Sequence, residues 1–171
     1  MPEKIYNKVV VVDENDSEIG AEYMMDAINK GLIRRASRVF VFNKNGQILV
    51  QRRSEYVLKP LLLDQSAAGH VDEGETYYEA AVRELNEELG IKNVDLEEIV
   101  VSLRTTDFYN AVYRVIIEND EQINFDTEEV AEVIWFDVKD LDKEMLHKPE
   151  NFNKSFIQMW GSLRDRLMMA V

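Results

Sequence analysis

Residues 69–91 read GHVDEGETYYEAAVRELNEELGI, and this stretch decides the fold. Thr76 and Glu79 have the spacing of a capping box, which predicts that a helix begins there. Gly90 follows the last turn, where a residue with left-handed backbone angles commonly ends a helix. Residues 76–89 are therefore the clearest helix that the sequence predicts.

Three glutamates of this helix lie close together. Because an α-helix turns by about 100° per residue, Glu84, Glu87 and Glu88 fall within about 100° of arc. An apolar stripe on another face should pack against the protein: Tyr78, Ala81, Val82, Leu85 and Leu89. The glutamates could form a solvated acidic face. However, like charges at these spacings repel one another, and carboxylate oxygens are ligands that Mg²⁺ and Mn²⁺ prefer, so a metal site is the competing interpretation.

The glutamates belong to a longer pattern: Gly, five residues, Glu, seven residues, then Arg-Glu-aliphatic-any-Glu-Glu-any-Gly-aliphatic. Residues 69–91 match it at every defined position, and with ordinary residue frequencies a chance match has a probability on the order of 10⁻⁷ or less. This pattern is the Nudix box, so the sequence resembles the Nudix superfamily. The resemblance implies an α/β (α+β) fold, an α/β/α sandwich with a mixed sheet, a short N-terminal hairpin and a C-terminal helix. It also implies a single Nudix domain over residues 1–171, with residues 1–35 as a hairpin and helix extension.

The resemblance also implies roles for the matched positions. One backbone carbonyl and three carboxylates would bind one or more Mg²⁺ ions, with Mn²⁺ as a possible substitute: Gly69, Glu84, Glu87 and Glu88. One of the three glutamates, or a water activated between metals, would be the base for the attacking water. Glu75 and Arg83 would pair and orient the loop against the helix. The implied reaction is hydrolysis of a diphosphate linkage in a nucleoside diphosphate joined to another moiety.

Two further stretches, residues 11–20 and 41–54, together with residues 64–70, are similar to the branch of the superfamily that contains isopentenyl-diphosphate isomerase. That isomerase needs a cysteine two residues before the histidine that matches His70, and this chain has Ala68 there and no cysteine at all. Allylic isomerisation is therefore disfavoured. An isomerase-like enzyme and a non-catalytic diphosphate-binding module remain as alternatives to the hydrolase.

Basic residues near the box are candidates for binding the substrate's phosphates: Arg52, Arg53, Lys59 and His70. Neighbouring residues of a strand point to opposite faces, so at most one of the two arginines should reach the site. Surface charge is the alternative for the arginines and the lysine. His70 could bind metal or phosphate, or be a loop histidine whose hydrogen bonds are satisfied by backbone.

Other candidates lie outside the box. Phe108 and Tyr109 could stack on a planar group, although ordinary packing between strands explains them as well. Trp135 is expected in the core rather than on a stacking platform. Glu129 and Glu132 lie where some Nudix enzymes have an extra acidic residue, and a solvent-facing strand is an equal alternative.

The remaining elements follow from periodicity and turn residues. Asn45-Gly46 between two alternating runs is a strong hairpin signal. The helical spacing of apolar residues near the C-terminus predicts a helix there. The predicted elements are a hairpin over 8–20, a helix over 21–30 ended by Gly31, strands over 38–43 and 47–52, a loop over 53–64, strands over 94–104, 109–118 and 129–136, and a helix over 153–169.

Composition narrows the function classes. The 171 residues carry a formal net charge of −13, which repels nucleic-acid polymers and anionic membranes, and a phosphate substrate unless a bound cation reverses the charge locally. The absence of cysteine excludes disulfides, thiolate metal sites and a cysteine nucleophile, and it fits a reducing compartment. With no targeting segment found, we expect a cytoplasmic enzyme that acts on a small-molecule diphosphate, without a nucleic-acid or membrane partner, and with a homodimer as a possible assembly.

Overall fold

A computed structural model describes residues 7–118 and 120–169 of the chain. These residues form nine strands and four α-helices, together with two single-turn 3₁₀ helices at Asp120–Gln122 and Pro149–Asn151. The elements in chain order are β1 (Lys8–Val12), β2 (Glu18–Tyr23), α1 (Met24–Asn29), β3 (Arg34–Asn43), β4 (Ile48–Arg53), β5 (Leu63–Asp64), β6 (Ala67–His70), α2 (Tyr77–Leu89), β7 (Glu97–Arg104), β8 (Phe108–Ile117), β9 (Val130–Phe136), α3 (Val138–His147) and α4 (Lys154–Met168). Within the described ranges, no helix has the length and apolar character needed to cross a membrane.

The ten-residue strand β3 organises the sheet. It pairs with β8 in parallel along its whole length, from Arg34 opposite Phe108 to Asn43 opposite Ile117. Over part of the same length it pairs antiparallel with β6, where Ser37 lies opposite Gly69. β1 and β4 also pair with β3, and β4 continues the sheet to β5 and β9. The sheet is therefore mixed, as the sequence predicted.

Both faces of β3 are buried, and alternate residues enter two separate cores. Val39 and Val41 pack with Leu85 of α2 on one face. Phe40 and Phe42 pack on the other face with α4, whose buried residues are Phe156, Met159, Trp160, Leu163 and Leu167. A strand that is covered on both faces reads as a continuous apolar run, which explains the sequence Val-Phe-Val-Phe. The predicted α/β/α sandwich is confirmed, and so is the packing face of the C-terminal helix.

The N-terminal hairpin is longer than predicted, and the helix after it is shorter. β2 continues to Tyr23, so α1 begins at Met24 rather than at residue 21. The reason is cross-strand pairing: Ala21 and Glu22 lie opposite Val10 and Val9, and these ladder contacts outweigh a local helical preference. Residues 1–6 of the predicted extension lie outside the described residues.

The box helix α2 has the predicted ends. Thr76 accepts a hydrogen bond from the backbone N–H of Glu79, whose side chain accepts one from the Thr76 N–H, and Gly90 follows with a φ of 68°. The predicted apolar stripe is partly wrong, because Tyr78 and Val82 are each 41% exposed. The buried face consists of Ala80, Ala81, Glu84, Leu85, Glu88 and Leu89. The helix is thus rotated so that two carboxylates face the protein interior, where other elements supply donors for them.

Three elements were absent from the sequence prediction. β5 lies inside the stretch 53–64 that was predicted to be a loop, β6 lies at the start of the box, and α3 follows β9. The short strands carry too few residues to show a period. α3 is mostly charged and buries only Leu141 and Met145, so its amphipathic signal is weak. His147, in its last turn, is exposed.

Replacing Thr76 with Ala should lower the free energy of unfolding by about 1 kcal/mol, because a backbone N–H at the start of α2 loses its acceptor. Chemical denaturation monitored by circular dichroism would measure the change. Thr106→Ala is the matched control, since this exposed threonine lies outside a helix. Equal stability of the Thr76 variant and the wild type would show that the capping box is not needed for the helix.

Candidate functional site

A cleft of about 660 Å³ lies where β3, β4, β6 and the box helix α2 meet. Four of the defined positions of the box line it: Gly69, Arg83, Glu84 and Glu88. Three of the four predicted phosphate-binding candidates line it as well: Arg53, Lys59 and His70. Arg53 and Lys59 precede the box in sequence, and the pairing of β3 with both β4 and β6 brings them to it.

The carboxylate of Glu84 lies directly against the backbone of β6. Its residue is 2% exposed, and Oε1 accepts a hydrogen bond of 2.7 Å from Nη1 of Arg83. A Cβ atom added to Gly69 would lie only 1.9 Å from that Oε1. The Glu84 carboxylate thus occupies the space that a side chain at position 69 would need, and a larger residue there would displace it.

Glu88 is the second buried carboxylate of the site, at 5% exposure. It accepts a hydrogen bond from the side-chain amide of Gln51, which also donates to the backbone oxygen of Ser66 at 2.9 Å. The Gln51 amide comes from β4 and is itself buried. A buried carboxylate needs such donors, because burial without them would favour its protonated form.

Glu87 is placed differently from the other two glutamates. It does not line the cleft, its side chain is 38% exposed, and one oxygen lies 3.3 Å from Nη1 of Arg83. In the described part of the chain, no three acidic or histidine side chains are gathered as a ready-made cation site. The carboxylates of Glu84 and Glu87 are instead oriented by Arg83, and that of Glu88 by Gln51.

Arg83 connects the loop of the box to the helix. Its Nε and Nη2 donate to the two oxygens of Glu75 at 2.7 and 2.9 Å, and Nη2 also donates to the His70 carbonyl at 3.0 Å. Burial would lower the pKa of Arg83, but the hydrogen bond to Glu75 and the charge of Glu84 raise it well above its ordinary value. The pairing of Glu75 with Arg83 that the sequence predicted is present.

The opposite wall of the cleft is basic and forms a hydrogen-bonded network. Arg53 donates to the Leu58 carbonyl at 2.8 Å and to the carboxylate of Asp64 at 3.2 Å. Asn153 donates to the same carboxylate at 2.7 Å and accepts from Lys59 at 3.4 Å. Two basic side chains thus lie at the cleft with their orientation set by a buried aspartate and an asparagine.

Arg38 is a further cleft residue that the sequence analysis missed. It is buried on β3, and its guanidinium donates to Asn110 at 2.8 Å and to Gln65 at 3.1 Å. Asp64 and Asn153 were missed too. The sequence did contain a signal for Arg38 and Asp64, because each is a charged residue next to apolar residues of a strand that is buried in the structure. A buried charge needs partners, so such residues are candidates for a site.

Strand alternation separates the two arginines at the end of β4. Arg52 is not among the lining residues and forms an ion pair of 2.5 Å with Glu132 on β9, so the structure does not place it with the other phosphate-binding candidates. Arg53 lines the cleft, as does Glu129, whereas Glu132 does not. Of the two arginines only Arg53 lines the cleft, in agreement with the alternation of strand residues, although the pairing of β4 with β9 shifts register between the two.

The aromatic residues proposed as stacking candidates differ in whether they reach the cleft. Phe108 lines the cleft, with its ring centroid 5.4 Å from that of His70 and 4.6 Å from the guanidinium of Arg34. Tyr109 is buried in the N-terminal core, where its hydroxyl donates to the Glu14 carbonyl, so it is not a stacking platform. Trp135 packs against the core beneath α2, as expected.

A family model of the NUDIX domain matches residues 32–158. The chain belongs to the Nudix family. The matched range contains the whole Nudix box and most of the cleft lining, while β1, β2 and α1 lie before it. The family identification made from the box in the sequence is therefore confirmed.

Curated relatives of two kinds are similar to the chain. Uncharacterised Nudix hydrolases of Pseudomonas aeruginosa and Nostoc are 40% and 41% identical over 51% and 54% of this chain. The matches cover 52% and 54% of those proteins, so the chain spans about half the length of these relatives. An isopentenyl-diphosphate Delta-isomerase of Salmonella heidelberg is 32% identical over 94% of both chains.

Solved structures show the same fold. A Deinococcus radiodurans protein is 26% identical, with a TM-score of 0.74 over 82% of this chain and 90% of its own. The NUDIX domain of a Shewanella oneidensis protein, solved with ADP ribose, has a TM-score of 0.59 over 85% of this chain and 99% of its own. Its sequence identity is 15%, so this second likeness concerns the fold alone.

Replacing Glu75 with Gln should make stability less dependent on pH. Burial opposes ionisation of Glu75, but the hydrogen bonds from Arg83 and from the Asp72 backbone outweigh it and lower the pKa below the ordinary 4.5. The ionised carboxylate therefore stabilises the fold above pH 4.5, and this contribution is lost as the pH falls towards the lowered pKa.

The variant should therefore be less stable than wild type at neutral pH, and the difference should shrink below pH 4.5, the ordinary value. Urea denaturation of the wild type and the variant across pH 3 to 7 measures how the free energy of unfolding of each depends on pH. Glu73→Gln is the control, because that exposed side chain has no hydrogen bond or ion pair with the described residues. A difference between wild type and the Glu75 variant that does not change with pH would contradict the expectation.

Proposed function

We propose that this protein hydrolyses a diphosphate linkage in a nucleoside diphosphate joined to another moiety, with Mg²⁺ held by the Nudix box. The observation that carries the proposal is the pair of buried carboxylates, Glu84 and Glu88, at the cleft beside Gly69. Burying two acidic groups of one helix is costly, and Arg83, which offsets part of this negative charge, is shared with Glu75. A ligand that brings a positive charge explains why the sequence places them there.

The residues present fit a hard divalent cation. The donor set consists of carboxylate oxygens, and the absence of a side chain at Gly69 keeps the Glu84 carboxylate next to the β6 backbone. Glu84, Glu87, Glu88 and the Gly69 carbonyl would hold the ion. When bound, Mg²⁺ neutralises phosphate charge and lowers the pKa of water, which supplies a nucleophile near neutral pH.

The protein's own residues orient the reactants. Arg53 and Lys59, on the wall that carries Asp64 and Asn153, would bind the substrate's phosphate oxygens by charge-assisted hydrogen bonds. Water attacks one phosphorus, the bridging P–O bond breaks, and the leaving phosphate departs with its oxygen. One of the three box glutamates accepts the proton of the attacking water. Arg83 keeps the glutamates in position and takes no part in bond breaking.

The substrate class is supported by the family and by the shape of the cleft. Hydrolysis of nucleoside diphosphate derivatives is what membership of the Nudix family implies, and ADP ribose is the ligand of the Shewanella neighbour. Beyond the phosphate-binding walls, the cleft has an apolar side formed by Met24, Met25 and Ile28 of the N-terminal extension. Because β1 pairs with β3, we propose that this extension is part of a single domain rather than a separate one.

Turnover of a panel of nucleoside diphosphate derivatives should require Mg²⁺ and should be abolished by EDTA. Glu88→Gln should lower the rate by orders of magnitude, since it removes a charged ligand, whereas the fold should survive because the new amide can still accept from Gln51. Phosphate release measures the rate. Undiminished hydrolysis in excess chelator would contradict the metal-dependent mechanism.

Thermal denaturation with and without Mg²⁺ tests metal binding by the same glutamates independently of turnover. At a Mg²⁺ concentration of a hundred times the dissociation constant, the free energy of unfolding of the wild type should rise by roughly 2.7 kcal/mol. Glu87→Gln and Glu88→Gln should be stabilised less at the same Mg²⁺ concentration. Glu98→Gln on β7 is the matched control, whereas Glu97 is unsuitable because it is ion-paired with buried Arg114. If the box variants and the control respond alike, the box glutamates are only structural.

Isomerase activity is the alternative favoured by the relatives that match nearly the whole chain. At the cleft, Ala68 occupies the position where the isomerase resemblance requires a cysteine, and an alanine cannot donate a proton. Purified protein should therefore not interconvert isopentenyl and dimethylallyl diphosphate in a proton-exchange assay with ²H₂O. Deuterium incorporation by the wild type would overturn this expectation.

A further inference from the structure

Arg34, at the start of β3, is a charged cleft residue that the proposed reaction does not use. It lines the cleft and is 5% exposed, yet within the described residues its Nε and Nη1 atoms are buried without a hydrogen-bond partner. Burial lowers the pKa of Arg34, and the nearby charge of Asp107 opposes this effect. A buried guanidinium with unsatisfied donors is costly for stability.

The other cleft arginines differ in this respect. Arg38 donates to Asn110 and Gln65, Arg53 donates to Asp64 and the Leu58 carbonyl, and Arg83 pairs with Glu75. Their hydrogen bonds account for their orientation. Arg34 is held instead by packing on an aromatic ring, with the guanidinium carbon 4.6 Å from the centroid of Phe108. Such a cation–π contact fixes the plane of the guanidinium but leaves its N–H groups available.

The position of Arg34 along β3 separates it from the box glutamates. Alternation puts Arg34, Ala36 and Arg38 in the lining of the cleft, with the small Ala36 in the middle. Gly69, beside Glu84, lies opposite Ser37, three residues along β3 from Arg34, which is about 10 Å of strand. Along β3, Arg34 therefore lies towards the beginning of the strand, away from the point where Glu84 meets β6.

We propose that Arg34, supported by Phe108, binds an oxyanion group that the substrate carries in addition to the diphosphate that is cleaved. A guanidinium presents a planar fork of N–H donors that matches phosphate and carboxylate oxygens, and an anion would satisfy the two donors of Arg34 that the described residues leave without partners. This inference rests on the proposed function, which identifies the cleft as the site where the substrate binds. It narrows the substrates to diphosphates with a second anionic end.

Binding of small anions to the metal-free protein tests the subsite directly. Inorganic phosphate and acetate are titrated calorimetrically into the purified full chain in excess EDTA, at constant ionic strength. We expect wild type to bind phosphate, and Arg34→Gln and Arg34→Met to bind it at least tenfold more weakly. Tighter binding of acetate than of phosphate would assign the group as a carboxylate. Absence of binding of both anions to wild type, or equal binding by the variants, overturns the proposal.

Two controls separate this result from other effects. Arg52→Gln removes an arginine outside the cleft and should leave anion binding unchanged. Glu88→Gln should abolish hydrolysis but retain anion binding in EDTA, so failure of the metal-dependent reaction and failure of the anion subsite are read independently.

Stability distinguishes an anion-binding residue from a purely structural one. If Arg34 is present for a ligand, Arg34→Met should melt at or above the wild-type temperature, because it removes a buried charge with unsatisfied donors. A large loss of melting temperature in Arg34→Met together with retained phosphate binding would assign a structural role and overturn the proposal. Should the Met and Gln variants fail to fold, Arg34→Lys takes their place, and phosphate affinity equal to that of wild type would contradict the bidentate contact.

In turnover, Arg34→Gln should raise KM about tenfold for a substrate with a second anionic end and leave kcat nearly unchanged, because the contact is the same in the ground state and the transition state. A fall in kcat with an unchanged KM would contradict a binding role remote from the reacting phosphorus.

Discussion

The close approach of the Glu84 carboxylate to the Gly69 backbone is the constraint on which the site depends. A side chain at position 69 would overlap this carboxylate, so Glu84 can keep its observed position beside β6 only with glycine there. Ser37 adds a second tie, because its hydroxyl donates to the Tyr77 carbonyl at 2.6 Å and anchors the start of α2 on β3. With the helix held in this position, Glu84 and Glu88 face the cleft.

Arg83 makes this arrangement electrostatically tolerable. Its guanidinium donates hydrogen bonds to Glu75, to Glu84 and to the His70 carbonyl. One side chain therefore connects the loop of the box, the helix α2 and the strand β6. Its planar fork satisfies several acceptors at once, which an ammonium group could not do in the same geometry. The cleft as a whole therefore has an acidic wall on α2 and a basic wall built on β3 and β4. Five basic and six acidic side chains line the cleft, so it is nearly neutral in a protein with a net charge of −13, and it repels a phosphate ligand less than the rest of the surface does.

Much of the fold could be predicted because its signals are local. The capping box, the glycine at the end of α2 and the spacing of the apolar residues in α4 each depend on residues within a few positions of one another. The errors occurred where distant contacts decide. Pairing of Ala21 and Glu22 with β1 extended a strand into a predicted helix. Contact with β6 and β4 rotated α2 so that Tyr78 is exposed and Glu88 is buried.

The sequence alone determined the family, the types of ligand atom and the sandwich architecture, since these depend on the order and spacing of residues along one helix and a few strands. Only the tertiary structure decided which basic residues meet the glutamates. Arg53 lines the cleft and Arg52 does not, while Arg34 and Arg38 enter it from β3, of which the sequence predicted only residues 38–43. These assignments depend on strand register and on the packing of α2 against β6, and both arise from contacts between residues far apart in the chain, which leave little signal in the local sequence.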